Sequence, residues 1–248
     1  MNAVEYGKGN TDVIFLLHGG GLSWWNYREV AGYLAQDYHV VIPILDGHAG
    51  SDKDFISIEE NASEIIEYID KKYNGSVALI GGLSLGGQIL VEMLSQRNDI
   101  CKIAVIESAL SIPMRLTYYL VKPMMEMSYG MIKQEWFAKL QFRFLRIKSE
   151  LYEAYYADTC KITKENMISF LKANAGYKVK EKLADTQAKV FVFVGQREQP
   201  KMIRSARKLH RRIPGSVLEI KDKLYHGEYS MNCAKEYADR VAGLLENV

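Results

Sequence analysis

Six short runs rich in apolar and β-branched residues govern what this chain can fold into. They are VIFLLHGGG (13–21), HVVIPIL (39–45), SVALIGG (76–82), KIAVIES (102–108), KVFVFVG (189–195) and SVLEIKD (216–222). Most are too continuous to be strands wetted on one face and too short to be buried helices, so they read as strands covered on both faces. Segments with helical spacing lie between them: NYREVAGYLAQ (26–36), SIEENASEIIEYIDKKY (57–73), residues 86–97, KMIRSARKLHRRI (201–213) and CAKEYADRVAGLLENV (233–248). The second of these opens with Ser57 and Glu60 in capping-box spacing and sets Ile65, Ile66 and Ile69 on one face. Such alternation predicts an α/β fold, a mostly parallel central sheet with helices on both faces. Ligands of open sheets bind beyond the carboxyl ends of the strands, which is where the glycines, the loop histidines and one unusual serine fall.

Residues 111–185 interrupt the alternation. They are rich in Met, Tyr, Phe and Leu and contain no convincing strand. The expectation is an α/β core of residues 1–110 and 186–248, with 111–185 as an inserted helical cap over the strand ends. A packed helical layer without a ligand role is the alternative. The insert carries thirteen Lys or Arg against eight acidic residues. That surplus suits an anionic substrate, such as a coenzyme A thioester or a phospholipid headgroup, and equally suits solvated helix faces.

The remaining totals exclude more than they propose. A net charge of +2 argues against nucleic-acid binding. Cys101, Cys160 and Cys233 are scattered, which suggests neither a disulfide framework nor a zinc site and points to a reducing, cytoplasmic setting. The beginning MNAVEYGKGN has no apolar core, and no apolar window is long enough for a membrane span, so no integral membrane association is expected. No cofactor or metal is suggested, and the oligomeric state is left open.

Within LIGGLSLGGQILVEML (79–94), Ser84 stands between a predicted strand and a predicted helix, fenced by Gly81, Gly82, Gly86 and Gly87. Gly82-Leu83-Ser84-Leu85-Gly86 fits G-x-S-x-G in the strand–turn–helix context that lifts a nucleophile above a sheet. A serine hydroxyl needs a general base in reach. Of five histidines, His39 starts a strand, His210 sits on a basic helix face, and His18 and His48 lie in glycine-containing loops that they could orient. His226, in KLYHGEYS after the last strand, is the candidate base. Glu198, in VFVGQREQP just past a buried strand, is the candidate acid, with Glu107 as its rival. Gly20 or Gly21 of HGGG, with the N–H of Leu85, could form an oxyanion hole. Trp24 and Trp25 are either substrate-pocket walls or anchors for the following helix.

The order Ser84, Glu198, His226, with HGGG upstream and G-x-S-x-G on the turn, resembles the α/β-hydrolase superfamily, over nearly the whole chain. PILDGHAGSD (43–52) is similar to that family's P-D-x-R-G-H-G-x-S loop. Gly47, His48 and Ser51 match, whereas Ile44, Asp46 and Ala49 stand where Asp, Arg and Gly are usual. The resemblance implies a serine hydrolase that cleaves a small-molecule ester or thioester without cofactor, and the Met-rich, aromatic insert points to an apolar acyl or alcohol part. A ligand-binding or signalling protein with a slow or idle triad is the alternative.

Overall fold

The computed structural model describes residues 1–246. Seven strands form one sheet: β1 (Ala3–Tyr6), β2 (Val13–Leu17), β3 (His39–Pro43), β4 (Val77–Leu83), β5 (Cys101–Glu107), β6 (Lys189–Gly195) and β7 (Val217–Lys221), in the order β1-β3-β2-β4-β5-β6-β7. All pairs are parallel except β1 with β3. The antiparallel edge strand β1 has no signature of its own in the sequence: four residues carry too little pattern to be read alone.

Among the described residues, ten α-helices accompany the sheet: α1 (Arg28–Leu34), α2 (Ile58–Tyr73), α3 (Leu85–Gln96), α4 (Arg115–Ile132), α5 (Glu135–Leu145), α6 (Tyr152–Thr159), α7 (Lys164–Gly176), α8 (Pro200–Arg212), α9 (Glu228–Asn232) and α10 (Ala234–Leu245). The final predicted helix, 233–248, thus runs as α10 to Leu245, and positions 247 and 248 lie outside the described residues. Successive strand side chains point to opposite faces, and both faces are covered. Phe15, Leu17, Val41 and Ile80 pack with α2, α3 and α8, whereas Ile14, Leu16, Val40 and Leu79 pack with α1 and α10. Every residue of β4 is buried, which explains why its run is apolar without alternation. Ser57 caps α2 by accepting from the Glu60 N–H at 3.0 Å.

Helices α4 to α7 all fall between β5 and β6. Polar side chains pin this insertion down. The Gln88 amide, in the first turns of α3, donates to the carbonyls of Leu110 (2.8 Å) and Asn174 (3.0 Å), and its oxygen accepts from Asn174 Nδ2 (2.8 Å). Asn166 of α7 accepts from the Phe55 N–H at 2.8 Å and donates to Asp54 at 2.9 Å. The helix that starts beside Ser84 is therefore bonded directly to the insertion.

Candidate active site

Ser84 occupies the corner between β4 and α3 with φ 54° and ψ −110°, a conformation that costs an ordinary residue about 1–3 kcal/mol. Its backbone is held from both sides: the Ser84 N–H donates to the Glu107 carbonyl (2.9 Å), and its own carbonyl accepts from the Gln88 N–H (3.0 Å). The glycines follow from crowding. A Cβ on Gly82 would lie 2.4 Å from the Gly86 carbonyl oxygen, and one on Gly86 would lie 2.2 Å from that of Leu17. Helix and strand approach too closely for any side chain at these two positions.

His226 stands in the loop between β7 and α9, its side chain 44% exposed, and its Nδ1 lies 2.8 Å from Glu198 Oε2. Because a carboxylate can only accept, Nδ1 carries the proton and Nε2 is free to act as a base. Glu198 itself is buried. Its other oxygen accepts from the Ser108 hydroxyl (2.6 Å) and the Gly195 N–H (2.8 Å). Burial pushes the Glu198 carboxyl up, but the bond and charge of His226, helped by Ser108 and Gly195, outweigh it and hold the group below its ordinary value. Glu107 behaves differently. It accepts from the Ser230 N–H (3.2 Å), its second oxygen has no hydrogen-bond partner among the described residues, and burial pushes its carboxyl up to about 7. Of the two candidate acids, only Glu198 is bonded to His226.

The glycine loop after β2 narrows the choice of oxyanion donors. The Gly21 N–H donates to His48 Nε2 at 3.0 Å, so Gly21 is withdrawn from that role as the structure stands. Gly19 N–H is likewise engaged, by Asn26 Oδ1 at 3.1 Å. Gly20 remains, facing Leu85 closely enough that an added Cβ would meet that side chain at 3.4 Å.

The two loop histidines do orient their loops. His18 donates from Nδ1 to the Gly19 carbonyl and accepts the Leu45 N–H at Nε2. His48 donates from Nδ1 to the Asp46 carbonyl. Burial, aided by the charge of His48, brings the His18 value down to about 3; burial alone brings His48 to about 4, against its backbone bonds. Both rings stay neutral, and neutral rings alone can accept the N–H groups that hold the loop.

Ser84, His226 and Gly19, Gly20 and Gly21 line one cavity of about 440 Å³, roofed from the insertion by Met125, Phe144, Tyr155, Met167, Phe170 and Leu171. Trp24 and Trp25 are not among its lining residues. Trp25 is buried and donates from its indole to Asp158 Oδ2 of α6 at 3.0 Å, and Trp24 packs partly buried on the α1 and α10 face. The pocket-wall reading gives way to the anchoring one, because the turn at 24–27 aims the indole of Trp25 at α6. Sequence reasoning missed Ser108, for which position just past a strand end is the only signal, and Gln88, whose partners lie 22 and 86 residues away. Among the described residues, no group of three or more His, Cys, Asp or Glu could hold a metal ion, and no helix is long and apolar enough to cross a membrane.

The model of a family described as "Alpha/beta hydrolase family" matches residues 14–240. Solved structures share the architecture at low identity. A thermophilic esterase from Thermogutta terrifontis superposes with a TM-score of 0.81 at 15% identity, covering 99% of this chain and 93% of its own. An enol-lactonase from Burkholderia xenovorans LB400 gives 0.80 at 15% identity over 99% and 96%. A bromoperoxidase from Bacillus anthracis gives 0.83 at 14% over 99% and 95%. No curated protein matches the chain in sequence.

Proposed function

The chain belongs to the alpha/beta hydrolase family, and from that membership we propose that it is a serine hydrolase acting on an ester or thioester with an apolar acyl part. One observation carries the reading: Ser84, on its strained corner, shares a cavity with His226, whose far ring nitrogen is bonded to buried, ionised Glu198.

In this mechanism Nε2 of His226 takes the Ser84 proton as Oγ attacks the carbonyl carbon. Glu198 keeps the ring in the Nδ1–H form and stabilises the imidazolium. The N–H groups of Gly20 and Leu85 receive the oxyanion, and losing one such donor typically costs about 3 kcal/mol of transition-state stabilisation. His226 then protonates the departing alcohol or thiol and afterwards activates the water that frees the acid. The acyl chain lies against Met125, Met167, Phe170 and Leu171, which offer apolar surface and no charge.

A rate series of p-nitrophenyl esters from acetyl to decanoyl tests this reading on the wild type and on Ser84→Ala. The expected result is kcat/KM rising from acetyl to medium chains, and loss of all turnover in the variant. A steady fall from acetyl onward would contradict the apolar acyl site. Ligand binding with no turnover at any length would move the protein to the non-enzymatic reading.

A further inference from the structure

A second cavity, of about 400 Å³, adjoins the first and shares His226, Phe144 and Leu145 with it. Its character is different. Arg146, Arg197 and Lys201 line it, together with Tyr225 and the carboxylate of Glu198. The Arg146 guanidinium lies 4.0 Å from the centre of the Tyr225 ring and that of Arg197 lies 5.8 Å from it. Two cations thus crowd one aromatic ring, and Lys201 stands near them in the first turn of α8. No salt bridge among the described residues reaches any of the three. Neighbouring carboxylates are engaged elsewhere: Glu198 by His226, Ser108 and Gly195, and Glu228 by the Tyr225 N–H at 2.8 Å. Three cations thus share the lining with one carboxylate, which His226 already holds, so positive charge is in excess. Like charges held together repel, and an anion placed between them would relieve that repulsion.

The position says which part of a substrate would carry the anion. The second cavity touches His226 but neither Ser84 nor the glycine loop. Resting on the serine-hydrolase reading, we infer that this cavity is the leaving-group subsite and takes an alcohol or thiol bearing phosphate or carboxylate. When the tetrahedral intermediate collapses, the C–O or C–S bond breaks and its electron pair goes to the departing oxygen or sulfur. That atom receives from His226 Nε2 the proton that began on Ser84. A group that meets the proton donor but not the nucleophile is bonded to the departing atom, while the acyl part stays on Ser84 in the apolar cavity. Arginine suits this task, since its planar fork grips phosphate and carboxylate in two-point bonds.

Three butyryl thioesters of similar intrinsic reactivity test the assignment: those of coenzyme A, which carries phosphates, of N-acetylcysteine, which carries one carboxylate, and of uncharged N-acetylcysteamine. The coenzyme A thioester should exceed the uncharged one in kcat/KM by about 10-fold or more at low salt, roughly the worth of one charge-assisted hydrogen bond. The carboxylate compound should fall between them if either anion suffices, or match the uncharged one if the subsite reads phosphate. Rising salt should shrink the preference. Arg146→Ala with Arg197→Ala should bring the ratio within about 3-fold, and Lys201→Glu should lower it independently. Equal kcat/KM for all three thioesters, or a preference untouched by these variants, would overturn the inference. Binding of free coenzyme A against N-acetylcysteamine on Ser84→Ala separates the two readings. Selective, salt-sensitive binding without thioester turnover would retain the anionic subsite and reject the hydrolase. Absence of selective binding would reject the subsite.

Discussion

Gly86 and Gly130 both sit in helices, one in the α/β framework and one in the insertion, and they have opposite reasons to be there. Gly86 is dictated by backbone, since α3 presses on the end of β2 until only a hydrogen fits. Gly130, near the end of α4, has nothing within 4 Å of where a Cβ would stand. The same contrast runs through the side chains around them. α3 is buried along nearly its whole length, whereas α4 and α5 leave Leu116, Tyr119, Met127 and Phe144 more than two-thirds exposed. Backbone geometry over-determines the framework, and it is there that a strained serine and a buried ionised glutamate are held. The insertion instead leaves large apolar side chains exposed and turns Met125, Met167 and Phe170 onto the cavity.

If that contrast is right, substitutions should sort by region, and the largest effect belongs to the proton-transfer chain. Glu198→Gln should lower kcat/KM by about 10³–10⁴-fold, because a neutral amide can no longer stabilise the imidazolium. Glu107→Gln should change it by less than about 10-fold, having no bond to His226. A steady-state comparison with the reverse order would move the acid to Glu107. Gly86→Ala should come next, destabilising by at least about 3 kcal/mol in urea unfolding, since both partners in the clash are backbone. A loss below about 1 kcal/mol would mean that α3 can retreat from β2 and that the corner is less constrained than described.

The buried Glu107 carboxyl sharpens the comparison through pH. Its folded value, about 7, lies above the unfolded one. The neutral acid is therefore favourable at low pH, and its contribution is lost as pH rises through the folded value. Glu107→Gln, which stays neutral, should gain on the wild type by on the order of 2 kcal/mol between pH 5 and pH 8. A stability difference that does not change across this range would mean that the site is hydrated. Smallest and opposite in sign is Gly130→Ala, which should stabilise α4 by about 0.5–1 kcal/mol. Destabilisation by thermal unfolding would reveal a contact on this helix and weaken the contrast between the two regions.

What could be read from the sequence follows the same division. The corner at Ser84, the strand-end position of Glu198 and the loop carrying His226 have local signals: glycines at fixed offsets, β-branched runs, a Pro just past an acid. The parallel sheet is legible for the same reason. What escaped depends on contacts between distant residues. The edge strand β1 exists by pairing with β3. Gly21 is engaged because His48, 27 residues on, reaches back to it, and Trp25 faces α6 because Asp158 accepts its indole. The lack of any strand pattern in 111–185 points to helix, but which of its faces meets the cavity is decided by tertiary packing.

The central claim is that Ser84 is an activated nucleophile. Intact mass spectrometry after incubation with a fluorophosphonate tests it without knowledge of the substrate. The account predicts a single covalent adduct on the folded wild-type protein and none on Ser84→Ala. No adduct on wild type, or an adduct that persists in the variant, would contradict it.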